Sequence, residues 1–125
     1  MTTSNPETLL PLADVVTAYL GAALFTATDA KGTPLDKAVT VSAMSPKARA
    51  GATEACEDFI ISNAALLVGL NAEQVGVNFW FTRNRHGAGF WDLGLGARGE
   101  ELTAMAHPYG SSDVYLGDDG LVYLS

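Results

Sequence analysis

Asn78–Gly96 reads NFWFTRNRHGAGFWDLGLG, and the fold of this stretch decides the architecture of the chain. Phe79, Trp80 and Phe81 stand on one side of a polar, glycine-bearing segment, and Phe90 and Trp91 on the other. Two aromatic runs around such a segment read as a β-hairpin, because aromatic side chains suit a pleated sheet and glycines suit a turn. Val77, Phe79 and Phe81 then share one face, with Asn78, Trp80 and Thr82 on the other. A loop at Asn84–Ala88 sets Phe81 opposite Trp91. That register predicts Phe79, Phe81, Trp91 and Leu93 on the core side, with Trp80 and Asp92 on the outer side.

Working outward, Met1–Thr8 is polar and predicts a frayed start. Leu12, Val15, Val16, Tyr19, Leu20, Ala23 and Leu24 recur at three- and four-residue spacings and predict a first helix, ending at Thr26–Thr28. Asp29–Met44 reads as a turn and loop rather than a short edge strand. Ser45-Pro46 is a strong helix start, an N-cap followed by proline at the first helical position. A second helix is expected from Pro46 to about Leu70, facing inward through Ala52, Cys56, Phe59, Ile60, Ala64 and Leu67. A short helix follows the aromatic stretch at Ala97–Ala106, closed by Pro108. Last comes a hairpin, Asp113–Gly117 and Leu121–Leu124, turning through Asp118-Asp119-Gly120. With Gly120 left-handed, Leu116 faces Val122, Val114 faces Leu124, and Tyr115 pairs with Tyr123. The expected fold is therefore α+β: one domain over residues 1–125, with an antiparallel sheet of about four strands from two hairpins. Two longer helices and one short helix pack mainly on one face.

The 125 residues are 48% hydrophobic with a net charge of −7, which suits a packed core under an acidic surface. Such a surface repels phosphates and disfavours general nucleic-acid binding. After Arg98 no Lys or Arg occurs, while Glu100, Glu101, Asp113, Asp118 and Asp119 do. The lone Cys56 forms no internal disulfide and falls on a helical stripe, so it reads as a small buried hydrophobe in a reducing compartment. No signal peptide is evident, and the apolar runs are too short to span a bilayer, which predicts a soluble, cytoplasmic protein without membrane attachment.

Arg83, Asn84, Arg85 and His86 are the sharpest polar group. They read either as a clamp for an anion or small ligand, with Gly87 and Gly89 admitting backbone N–H groups, or as a solvated turn. His86 with Asp92 suggests acid–base work, but no nucleophile stands at an interpretable spacing, so no catalytic residue is assigned. Neither His86, His107 and Asp92 nor Glu54, Glu57 and Asp58 has a metal-ligand pattern, and no metal or cofactor is expected. Trp80, Tyr115 and Tyr123, flanked by Asp118 and Asp119, form an aromatic and acidic surface that is either covered by the chain's own N-terminal segment or offered to a protein partner. RHGAGFW is loosely similar to the aromatic strand motif of RNA-recognition domains, without their second motif or basic surface.

The segment NFWFTRNRHGAGFWDLGLG with ELTAMAHPYGSSDVYLGDDGLVYL resembles a family of small acidic proteins of phages and other mobile elements. The pattern matches Phe79, Trp80, Thr82, Arg83, Asn84, His86, Gly87, Gly89, Phe90, Trp91 and Asp92, and the closing Gly-Asp-Asp-Gly. The family has aspartate at Asn78 and arginine at Leu93, so this chain lacks one charge of each sign there. The resemblance implies a phage accessory protein and no mechanism; the missing nucleophile–base set, the acidic surface and the aromatic strip predict a non-enzymatic protein of the host cytoplasm that binds a host or phage protein, for instance as an anti-defence inhibitor. The alternative is a small enzyme or ligand-binding domain built on Arg83–His86.

Overall fold

The computed structural model describes residues 10–125, and the frayed start expected of Met1–Thr8 lies outside them. The described chain is mostly helical: α1 Leu12–Phe25, α2 Leu35–Ala38, α3 Pro46–Ser62, α4 Ala72–Arg83 and α5 Ala97–Ala106. Among the described residues the sheet has two strands, β1 Val114–Leu116 and β2 Val122–Leu124. This overturns the four-stranded α+β sheet with two hairpins.

The correction falls on the aromatic stretch. Residues 78–83 are the second half of α4, not a strand. The helix begins at a reciprocal cap, in which Asn71 Oδ1 accepts the Gln74 N–H at 2.8 Å and Gln74 Oε1 accepts the Asn71 N–H at 3.0 Å. From there Val75, Phe79 and Thr82 bury one face, and Gly76 and Trp80 extend it. Gly76 is a contact surface: a Cβ there would lie 2.3 Å from the Val15 carbonyl oxygen, so its absence lets α4 press onto α1. The favourable burial of Phe79 and Trp80 outweighs their preference for strands, which is weak beside packing. Beyond the helix, the expected second strand is a 3₁₀ turn, Phe90–Asp92.

Changing strand to helix inverts two expected exposures. Trp80, assigned to the outer face, is 1% exposed, and Trp91, assigned to the core, is 49% exposed. Phe79 does lie in the core, whereas Phe81 is only half-buried.

The core sits where α1, α3 and α4 meet. Phe59 stacks on Phe79 at 4.2 Å between ring centroids and lies 5.6 Å from Phe90. Tyr19 meets Trp80 edge-on at 5.3 Å, and Tyr109 meets Phe79 edge-on at 4.9 Å. Cys56 is fully buried among them, as its stripe predicts.

The first helix, the Ser45-Pro46 start and the short α5 follow the sequence reading. The second helix stops earlier than expected, at Ser62. There the Phe59 carbonyl accepts both the Asn63 backbone N–H at 3.1 Å and the Asn63 side-chain amide at 2.9 Å, and a 3₁₀ turn Ala64–Leu67 follows. The stretch expected as a loop, residues 29–44, contains α2 and a 3₁₀ turn, Val41–Ala43. The final hairpin has the expected register, Val114 with Leu124, Tyr115 with Tyr123 and Leu116 with Val122, and Gly120 has φ 84°.

Candidate functional site

The sharpest polar group in the sequence is the C-terminal end of α4. Arg85 takes φ 58°, the left-handed conformation that closes a helix. Its N–H bonds the Thr82 carbonyl at 3.0 Å, and the His86 N–H bonds the Phe81 carbonyl at 2.9 Å. The four polar residues therefore belong to a helix stop rather than to a hairpin tip.

Arg83 is turned inward onto its own chain. Nε donates to the Gly110 carbonyl at 2.8 Å, Nη2 to the Tyr109 carbonyl at 2.7 Å, and Nη1 to the Tyr19 hydroxyl at 2.9 Å. The guanidinium carbon also lies 5.8 Å from the Tyr109 ring centroid. A planar fork that reaches three acceptors on two separated segments is a structural clamp. Tyr109 is held from its other end too, its hydroxyl donating to Asp58. Burial pushes the Tyr19 phenol up to about 12 against the opposing influence of Arg83, and burial likewise pushes the neighbouring Cys56 thiol up to about 12. Both groups are neutral in the ordinary pH range.

Asn84 ties the clamp to the hairpin. Its Oδ1 accepts the Ser112 N–H at 2.7 Å, and its Nδ2 donates to the Trp80 carbonyl at 2.9 Å. Trp80 Nε1 in turn donates to Thr26 Oγ1 at 2.9 Å. Above these groups lies an open groove of about 450 Å³, walled in part by Thr28, His86, Ser111 and Asp113. It offers hydroxyls, one imidazole and one carboxylate. His86 is exposed and rests edge-on against Phe81 at 5.8 Å. Among the described residues no hydrogen bond joins its imidazole to a serine or a carboxylate, so no acid–base pair is assembled. Asp92 is exposed on its 3₁₀ turn and does not line this groove. Gly89, expected to admit backbone donors to a ligand, instead makes room for Thr82, whose Oγ1 would lie 2.5 Å from a Cβ and accepts the Phe90 N–H at 3.1 Å.

The second assembly is the C-terminal hairpin. Tyr115, 53% exposed, stacks on Tyr123 with centroids 5.4 Å apart and planes 18° from parallel. The Tyr123 hydroxyl donates to the exposed Asp119 carboxylate, whose other oxygen accepts the Leu121 N–H at 3.0 Å. These bonds hold the carboxylate below its usual range, the tyrosine bond contributing most, while the Asp119 partner raises the Tyr123 phenol. Asp118 is exposed beside it. Tyr115, Tyr123, Asp118 and Asp119 thus share one element, as the sequence pattern expects, whereas Trp80 is removed to the core. The structural roles of Tyr19 and Tyr109 escape the sequence reading. Tyr19 carries only a helical-stripe signal, and Tyr109 follows the proline that closes α5.

Among the described residues no three His, Cys, Asp or Glu side chains converge as metal ligands, and no helix is long and apolar enough to cross a membrane. No family model matches the chain, and neither a curated protein nor a solved structure matches it.

Proposed function

We propose that this chain is a non-enzymatic accessory protein of a phage or other mobile element, acting by binding a basic surface of a host or phage protein. An anti-defence inhibitor that occupies a nucleic-acid site fits this description. The observation that carries the reading is the stack of exposed Tyr115 on half-buried Tyr123 beside Asp118 and Asp119, on a hairpin with no basic residue. Stacked tyrosines give large, stiff contact area, and fixed carboxylates beside them select cationic partners. Support also comes from the Arg83 fork, which is bound to its own chain. The sequence resemblance supplies the mobile-element context.

The test is a pulldown from host and infected-cell lysates, followed by association kinetics over a salt series. Neutralising Asp118 and Asp119 should slow association more than it speeds release, and affinity should fall as salt rises. A partner bound equally well at every salt concentration refutes the acidic-surface reading. Turnover of a small molecule, lost in a folded His86→Ala variant, would replace it with an enzymatic one.

A further inference from the structure

We propose that β1 receives an extended basic segment of the partner as an added strand. This deepens the acidic-surface reading and rests on it. The hydrogen bonds of the hairpin identify its open edge. The Gly117 N–H donates to the Leu121 carbonyl at 2.8 Å, and the Ser125 N–H to the Asp113 carbonyl at 3.0 Å. With Tyr115 opposite Tyr123, antiparallel alternation makes these the bonded pairs. Val114 and Leu116 on β1, and Val122 and Leu124 on β2, therefore turn their N–H and C=O groups outward.

The two edges differ. On β2 the Val122 carbonyl accepts the Ser45 N–H at 2.8 Å, and Met44 bridges Val122 in parallel. On β1, among the described residues, no hydrogen bond reaches the outward groups of Val114 or Leu116. Such an edge is a template for another strand, and β1 reads Val-Tyr-Leu, without the lysine or proline that blunts natural edges. Tyr115 and Leu116 are exposed along it.

Charge selects the occupant. Asp113 precedes β1, Asp118 and Asp119 follow it, and no Lys or Arg occurs beyond Arg98. A second copy of this chain would bring like charges together, whereas a segment with arginine at alternate positions meets carboxylates at both ends of the strand. Its residue beside Tyr115 lies on the face of the tyrosine stack, where a guanidinium finds a π surface. At Val114 the edge runs into the groove beside Thr28 and His86, which leaves room for the added chain to continue.

The probe is an acetylated and amidated peptide alternating arginine with valine or threonine, titrated into the isotope-labelled full chain. Two further peptides carry N-methyl groups on one or the other alternating set of residues, with charge unchanged. The expected result is that one set weakens binding and the other does not, because only one set donates to β1. The loss is about tenfold or more, as for one or two hydrogen bonds. The Val114 and Leu116 amides should also become protected from exchange. Equal binding by both methylated peptides, with those amides unprotected, overturns strand addition while leaving the acidic-surface reading intact. A parent peptide that does not bind overturns strand addition. If basic proteins also show no salt-sensitive binding, the acidic-surface reading falls with it. Protection of the same amides in a concentration-dependent dimer, without peptide, overturns the choice of occupant.

Discussion

Arg83→Ala should destabilise the fold before it alters any binding. The substitution removes three hydrogen bonds from a charged donor and leaves the Tyr109 and Gly110 carbonyls and the Tyr19 hydroxyl without that partner. Bonds of this kind contribute about 1.5–3 kcal/mol each when desolvated. Arg83 is half-exposed, so the lower end applies, and water can re-pair part of what is lost. A total of about 3–4 kcal/mol results, a large share of the roughly 5–15 kcal/mol that holds a domain together. With a urea slope of about 1.5–2 kcal/mol/M, the unfolding midpoint should fall by about 2 M. Arg83→Lys keeps the charge but not the fork, reaches fewer acceptors, and should fall by about half as much. Urea unfolding followed by tryptophan fluorescence measures all three proteins. An alanine variant within about 0.3 M of the parent, or a lysine variant indistinguishable from it, refutes the clamp.

Phe79→Ala should cost about 3–5 kcal/mol and Phe81→Ala only about 1–2, since the first is buried between Phe59 and Tyr109 and the second lies at the α1–α4 rim; equal losses by urea unfolding contradict the helix. Arg85→Gly should raise stability by about 0.5–1 kcal/mol, because glycine takes the left-handed φ without strain; a lower thermal midpoint contradicts the helix stop. The Cys56 thiol should resist alkylation at pH 8 until the protein unfolds, with its pKa at about 12 against an ordinary value of 9.0. The folded state therefore holds protons that the unfolded state gives up, so this stabilisation is complete below about pH 9 and is lost as pH rises toward 12; a urea midpoint unchanged between pH 8 and pH 11 counts against it.

Local patterns made much of the fold legible. The helical stripe of α1, the Ser45-Pro46 start, α5 and the final turn each announce themselves within a few residues. Residues 75–82 satisfy two periodicities at once. Val77, Phe79 and Phe81 alternate like a strand, while Val75, Phe79 and Thr82 keep helical spacing. Asn71 and Gln74 held the deciding signal, since a capping pair three residues apart starts a helix and not a hairpin. Glycine at position 76 also has no use in a strand interior. The Arg83 clamp was beyond reach for another reason. Its acceptors lie 26, 27 and 64 residues away, and local patterning carries no information about such pairings. The aromatic hairpin surface was legible because both strands and their turn lie within a dozen or so residues.

Ser45 acts as a shared joint. Its backbone N–H holds the Val122 carbonyl on β2, while its hydroxyl accepts the Ala48 N–H at 3.0 Å and stoppers the first turn of α3. Peeling the hairpin away would therefore pull on the cap of α3, the longest helix among the described residues. Traction applied at β1 would pass through β2 and Ser45 into α3. The amide of Ala48, which lies in no strand, then becomes a remote gauge of whether the hairpin is seated.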